Sequence, residues 1–89
     1  MVYYDEDIRK DIKKCILPKE IVKLFVHAFE SIDSTKDLNL FDIKKLVSDS
    51  SVNYYRLRKG KYRATFRMEN EDIYVLAIAK RSEVYRKWP

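Results

Sequence analysis

Tyr54-Tyr55-Arg56-Leu57-Arg58-Lys59-Gly60-Lys61-Tyr62-Arg63-Ala64-Thr65-Phe66 alternates charged with aromatic or apolar residues on both sides of the chain's single glycine. Successive side chains of a strand point to opposite faces, so Arg56 and Arg58 share one face while Tyr55 and Leu57 share the other. Gly60 supplies the positive φ that a tight hairpin turn demands, which makes Lys59-Gly60-Lys61 a turn. Tyr62, Ala64 and Phe66 then alternate with Arg63, Thr65 and Arg67. The expected hairpin has one apolar face and one face crowded with guanidiniums, which solvent or an anionic partner must satisfy.

Charge is segregated in the same way. Residues 1–50 hold nine Lys and Arg against ten Asp and Glu, whereas residues 51–89 hold ten against four, so the net +5 comes from the hairpin half. A basic patch confined to one part of a small fold is the footprint of a polyanion binder; a solvated basic face is the plainer account.

Eighty-nine residues suffice for a single domain over residues 1–89 with one core. A lone cysteine, Cys15, excludes an intramolecular disulfide and a cysteine-based zinc site, and it is expected to fill space in or beside the core. Met1-Val2-Tyr3-Tyr4 runs straight into Asp5-Glu6-Asp7 without a signal-peptide pattern, and no apolar run approaches the ~20 residues that span a bilayer. A soluble, cytoplasmic domain with no membrane partner is expected.

Working outward, Val2-Tyr3-Tyr4 is β-prone and reads as a first strand. Asp5 or Asp7 caps a helix in which Ile8, Ile12 and Cys15/Ile16 recur at helical spacing, and Pro18 separates it from the next. Ile21, Leu24, Phe25, Ala28, Phe29 and Ile32 give the strongest helical period. Ser31 to Asp37 reads as a loop. Leu38, Leu40, Phe41, Ile43 and Leu46 fit a short helical turn or an extended connection, with the turn preferred. Ser48 to Ser51 is a further loop. After the hairpin, Met68 to Asp72 turns the chain into Ile73–Ala79, an apolar run suited to an inner strand covered on both faces. One or two helical turns are expected from Ser82. The order predicts an α+β fold: an N-terminal strand, a two-helix hairpin packed on a small antiparallel sheet of about four strands, and a short C-terminal helical tail.

Few other residues suggest chemistry. His27 is the only histidine, lies opposite the apolar stripe of its helix, and reads as a solvent-facing side chain rather than a metal ligand. Asp5, Glu6 and Asp7 favour a helix dipole and need no further role. There is no Gly-rich phosphate loop and no Ser-His-Asp set. What remains is Arg56, Arg58, Lys59, Lys61, Arg63, Arg67, Lys80, Arg81 and Arg86, interleaved with Tyr54, Tyr62 and Tyr85. Guanidiniums fork onto phosphate oxygens and tyrosines stack on unpaired bases. No cluster of acids accompanies them, which argues against metal-dependent cleavage and against any metal or cofactor.

Leu46 followed by Y-Y-R-L-R-K-G-K-Y-R-A-T-F and then I-Y-V-L-A-I-A-K-R-S-E-V-Y-R resembles the RelE/ParE superfamily of toxins from type II toxin–antitoxin modules. The likeness is tight over residues 46–86, and Ser82-Glu83-Val84-Tyr85 looks more like the RelE branch. That branch implies a ribosome-dependent endoribonuclease that cuts mRNA through attack of a ribose 2′-hydroxyl on the adjacent phosphate, without metal, and is silenced by a cognate RelB-like, acidic, helical antitoxin. The alternative is a ParE-type toxin that inhibits DNA gyrase by binding it. Carried over residue by residue, Arg63 would hold and stabilise the phosphate, Arg81 would assist the leaving group or bind phosphate, and Tyr85 would stack or transfer a proton. Arg56 and Arg58 would line the cleft, with Lys59, Lys61, Lys80 and Arg86 as further phosphate-binding residues. Some relatives carry lysines where this chain has Arg56 and Arg58, and many carry histidine where it has Lys80. A guanidinium is a poor general base. The base is then expected among Lys59, Lys61, Lys80, Tyr85, solvent or a ribosomal group. The antitoxin segment over Arg56–Arg63 is expected to be acidic.

Overall fold

The computed structural model describes residues 1–46 and 53–80. Strand β1 (Val2–Tyr4) leads into helix α1 (Glu6–Lys13) and helix α2 (Lys19–Thr35). A 3-10 turn at Leu38–Leu40 precedes strands β2 (Ile43–Lys45), β3 (Asn53–Lys59), β4 (Tyr62–Glu69) and β5 (Asp72–Lys80). The five strands form one sheet in the order β1-β5-β4-β3-β2. The α+β class and the element order agree with the sequence; the sheet is wider by β2, and β1 joins β5 in parallel rather than antiparallel fashion.

Local chemistry explains most boundaries. Asp5 caps α1, its Oδ2 accepting from the Asp7 N–H at 3.2 Å, with Glu6 and Asp7 in the first turn and Lys10 and Lys13 in the last. That helix stops at Lys13, short of the Cys15/Ile16 predicted from spacing, because Cys15 turns left-handed at φ 58 ahead of Pro18. Cys15 is consequently exposed, not tucked beside the core. Helix α2 runs through most of the expected Ser31–Asp37 loop. There the Ser31 and Thr35 hydroxyls donate back to the carbonyls of His27 and Ser31, so these polar residues are satisfied inside the helix. Lys36 ends it in the left-handed region at φ 57, and its Nζ reaches Asp33 at 3.1 Å and the Glu71 carbonyl at 3.0 Å. His27 is exposed, as its place opposite the apolar stripe implies.

The core joins α2 to one face of the sheet. Phe25, Ala28, Phe29 and Ile32 are fully buried against Leu57, Ala64, Phe66, Ile73 and Val75. Phe29 is the hub: Phe66 meets it edge-on at 5.1 Å, Tyr4 edge-on at 6.3 Å, and Phe25 in a near-parallel stack at 6.3 Å.

Gly60 takes φ 58 in the two-residue turn between β3 and β4, as the alternation required. The β4–β5 turn places Asn70 and Glu71 at φ 52 and 70, the pair of positive φ values that a tight hairpin uses. The apolar run of β5 hides a bulge: Thr65 pairs with Ala77 but Phe66 with Val75, leaving Leu76 as the extra residue. Its effect is a change of phase. Ile73, Val75 and then Ile78 meet the core, while Ala77 and Ala79 fall on the other face opposite Thr65 and Arg63. Small side chains thus lie beside the guanidiniums.

Candidate nucleic-acid interface

The face of the sheet away from the core can be read row by row from the strand registers. One row runs Tyr3, Tyr74, Arg67, Tyr54 across β1, β5, β4 and β3. The next runs Ala77, Thr65, Arg56, Lys44, and the third Ala79, Arg63, Arg58. Aromatic character is therefore concentrated at one end and cationic charge at the other.

In the aromatic row, Tyr3 and Tyr74 stack at 5.1 Å with planes 15° apart, and the Arg67 guanidinium lies 4.5 Å from the Tyr74 ring centre. Glu69 lies 3.5 Å from the same guanidinium. In the cationic rows, Lys44, Arg56, Arg58 and Arg63 line a hollow of about 260 Å³, and Asp42 is the acid beside them among the described residues. Asp42 and Arg58 are joined twice. The Arg58 backbone N–H donates to the Asp42 carbonyl at 3.0 Å, and Nε donates to Asp42 Oδ2 at 2.8 Å with Nη2 also 2.8 Å from that oxygen. Arg63 is only 6% exposed, whereas Arg58 and Asp42 stand out in solvent. Among the described residues four cations face one carboxylate there, and forked guanidiniums suit phosphate oxygens.

The residues proposed from sequence divide clearly. Arg56, Arg58 and Arg63 converge on this hollow. Lys59 does not: it stands on the core side of β3, its ammonium 4.6 Å from the Phe41 ring centre. Lys61 is exposed in the hairpin turn. Lys80 pairs with Tyr62 and lines a different hollow, with Asp7 and Asp11. Arg81, Tyr85 and Arg86 lie outside the described residues, as do the Ser48–Ser51 loop and the helical tail expected from Ser82.

Asp42 and Lys44 were missed. Ile43-Lys44-Lys45 is too short to show alternation, and its surroundings fit a helical turn as well as a strand. Only pairing with β3, Lys44 opposite Arg56, reveals that they share the cationic face. Tyr3 and Tyr74 were missed too, because neither strand alone shows that their registers coincide.

No protein-family model matches the chain. The chain is 31% identical, over a 91-residue alignment covering 99% of it and 98% of the relative, to a toxin named RelE3 from Methanocaldococcus jannaschii. Its fold matches the crystal structure of a RelB-RelE antitoxin-toxin complex from Methanococcus jannaschii with a TM-score of 0.74 and 27% identity, covering 98% of this chain and 99% of that one. An archaeal RelE-RelB complex from Pyrococcus horikoshii OT3 shares the fold at a TM-score of 0.73 and 23% identity, covering 90% of this chain and 92% of that one. These relatives lend no support to the ParE alternative. With the hairpin, the cationic face and near full-length similarity in agreement, the chain belongs to the RelE family of toxin–antitoxin toxins.

Proposed function

We propose that this toxin is a metal-independent endoribonuclease that cuts mRNA on the ribosome and so arrests translation in the cytoplasm. The observation that carries the reading is the hollow in which Lys44, Arg56, Arg58 and Arg63 meet on one sheet face. An RNA phosphodiester gains negative charge as the 2′-oxygen attacks, and fixed cations stabilise that charge without reorganising. Arg63, buried to 6% exposure in the hollow, is assigned this role. Arg56 fits the same phosphate from the neighbouring strand, and by family resemblance Arg81 and Tyr85 serve the leaving side.

A RelB-like antitoxin is the proposed partner, supported by the RelB-bound state of the similar archaeal toxins. An acidic segment lying over Arg56–Arg63 would neutralise the site by occupying it. The test is to add the protein to a translating extract and map mRNA ends. New ends within translated codons are expected, and they should disappear when the cognate antitoxin is present. Intact messages in an extract that goes on translating would overturn the reading.

A further inference from the structure

Cleavage by a 2′-hydroxyl requires one group to take the hydroxyl proton and another to give a proton to the departing 5′-oxygen. Guanidiniums serve badly in both roles because they hold their protons. Arg56, Arg58 and Arg63 therefore contribute charge to the hollow and leave proton transfer unassigned. Of the groups proposed from sequence, Lys59 and Lys80 stand elsewhere, Lys61 is exposed in the hairpin turn, and Tyr85 lies outside the described residues.

Two other side chains line the hollow itself, Asp42 and Lys44. Asp42 directly precedes β2 and is held at both backbone and side chain by Arg58. Both Arg58 contacts fall on Oδ2, and Oδ1 accepts no hydrogen bond from any described residue. A carboxylate gripped through one oxygen has its plane fixed and keeps the other oxygen available as a proton acceptor. Lys44, two residues on, is exposed, pairs in register with Arg56, and has no acidic partner among the described residues. An ammonium of this kind is a proton donor.

We propose that Asp42 and Lys44 are the proton-transfer pair of the cleavage reaction, an assignment that rests on the nuclease reading above. Asp42 Oδ1 takes the proton of the 2′-hydroxyl as the 2′-oxygen forms its bond to phosphorus. The bond from phosphorus to the 5′-oxygen breaks, its electron pair goes to that oxygen, and the Lys44 ammonium supplies the proton. The products are a 2′,3′-cyclic phosphate and a free 5′-hydroxyl. Arg56 and Arg63 face the non-bridging oxygens, while Arg58 remains on Asp42. Among the described residues, Lys44, Arg56, Arg58 and Arg63 are the charged groups lining the hollow beside Asp42.

The test is single-turnover cleavage of mRNA on programmed ribosomes across a pH series, with the wild type, Asp42→Asn and Lys44→Ala, each first shown to be folded by thermal unfolding. Both variants are expected to lose roughly 100- to 10,000-fold in rate while ribosome binding stays within a few-fold. Asp42→Asn should abolish the fall in rate toward acid pH, and Lys44→Ala the fall toward alkaline pH. A message with sulfur replacing the bridging 5′-oxygen, whose departing thiolate needs no proton, should rescue Lys44→Ala and not Asp42→Asn. Cleavage by either variant at the wild-type rate overturns the assignment. So does an Asp42→Asn loss with an unchanged pH profile, the mark of a residue that only positions Arg58. A wild type that leaves mRNA whole overturns the nuclease reading and the pair with it; a wild type that cuts beside variants that also cut overturns the pair alone.

Discussion

Arg58 and Arg63 are directly opposed across the β3–β4 ladder, two guanidiniums in a position where like charges repel. Asp42 offsets Arg58 at 2.8 Å, and the bulge in β5 sets small Ala79 on the other side of Arg63. The fold thus sets two guanidiniums side by side on one sheet face, and on the proposed reading an RNA phosphodiester would bind beside them.

Binding of single-stranded RNA should therefore weaken steeply with salt. Arg56→Ala and Arg63→Ala should each lower the slope of log K against log salt by about 0.7, the share of one phosphate contact. Fluorescence anisotropy with a short labelled RNA measures this. An unchanged slope in both variants would remove these residues from the phosphate site.

Tyr4 carries a different kind of strain. Its hydroxyl is buried with no hydrogen-bond partner among the described residues. Burial, followed by the nearby Glu30 charge, pushes its ionisation up from 10.0 to about 12. Its ionisation leaves stability unchanged below pH 10, and stability falls as pH rises from there through about 12, because the unfolded phenol ionises first. Tyr4→Phe should raise stability by about 1 kcal/mol in urea unfolding, and remove a late-titrating tyrosine from an alkaline absorbance titration. A clear loss of stability would mean that the hydroxyl has a partner.

The start of β1 is tethered by charge. The Met1 amine lies 2.9 Å from both Asp33 and Asp72, joining β1 to α2 and β5. Hydrogen bonds to Asp33 and then Asp72 raise the amine above 8.0, and the hydrogen bond from that amine, then from Lys36, lowers Asp33 below 3.8. The Asp33 contribution is present above 3.8 and lost as pH falls through its lower folded value. The amine's is present below 8.0 and lost as pH rises through its higher one. Melting temperature against pH should show a plateau between these limits, and Asp33→Asn should flatten both shoulders. Shoulders identical to wild type would assign them to other groups.

Phe29 holds α2 to the sheet through edge-on contacts with Tyr4 and Phe66. Phe29→Ala should cost about 3–5 kcal/mol. Gly60→Ala meets no atom within 4 Å but keeps φ 58, so it should cost about 1–2 kcal/mol through backbone strain alone. Equilibrium unfolding separates the two, and a neutral Gly60→Ala would contradict the turn geometry.

Legibility from sequence followed the length of each repeating pattern. Tyr54–Phe66 alternates for long enough to specify both strands and the turn, and the α2 stripe from Ile21 to Ile32 spans three helical turns. Ile43–Lys45 has no such length, and its strand state comes from β3, which is why Asp42 and Lys44 went unseen. The β5 run reads as buried on both faces, yet only the pairing of Val75 and Ala77 with Phe66 and Thr65 exposes the change of phase at Leu76. Spacing put Cys15 on a helix that a left-handed turn ends first.

The most direct measurement is an NMR titration of the protein with a short RNA made unreactive by 2′-O-methylation, following arginine side-chain Nε–H signals. Arg56 and Arg63 should shift together at one saturating stoichiometry while helix α2 stays still. Saturable shifts confined to α2, with both guanidiniums unmoved, would contradict a phosphodiester site on this face of the sheet.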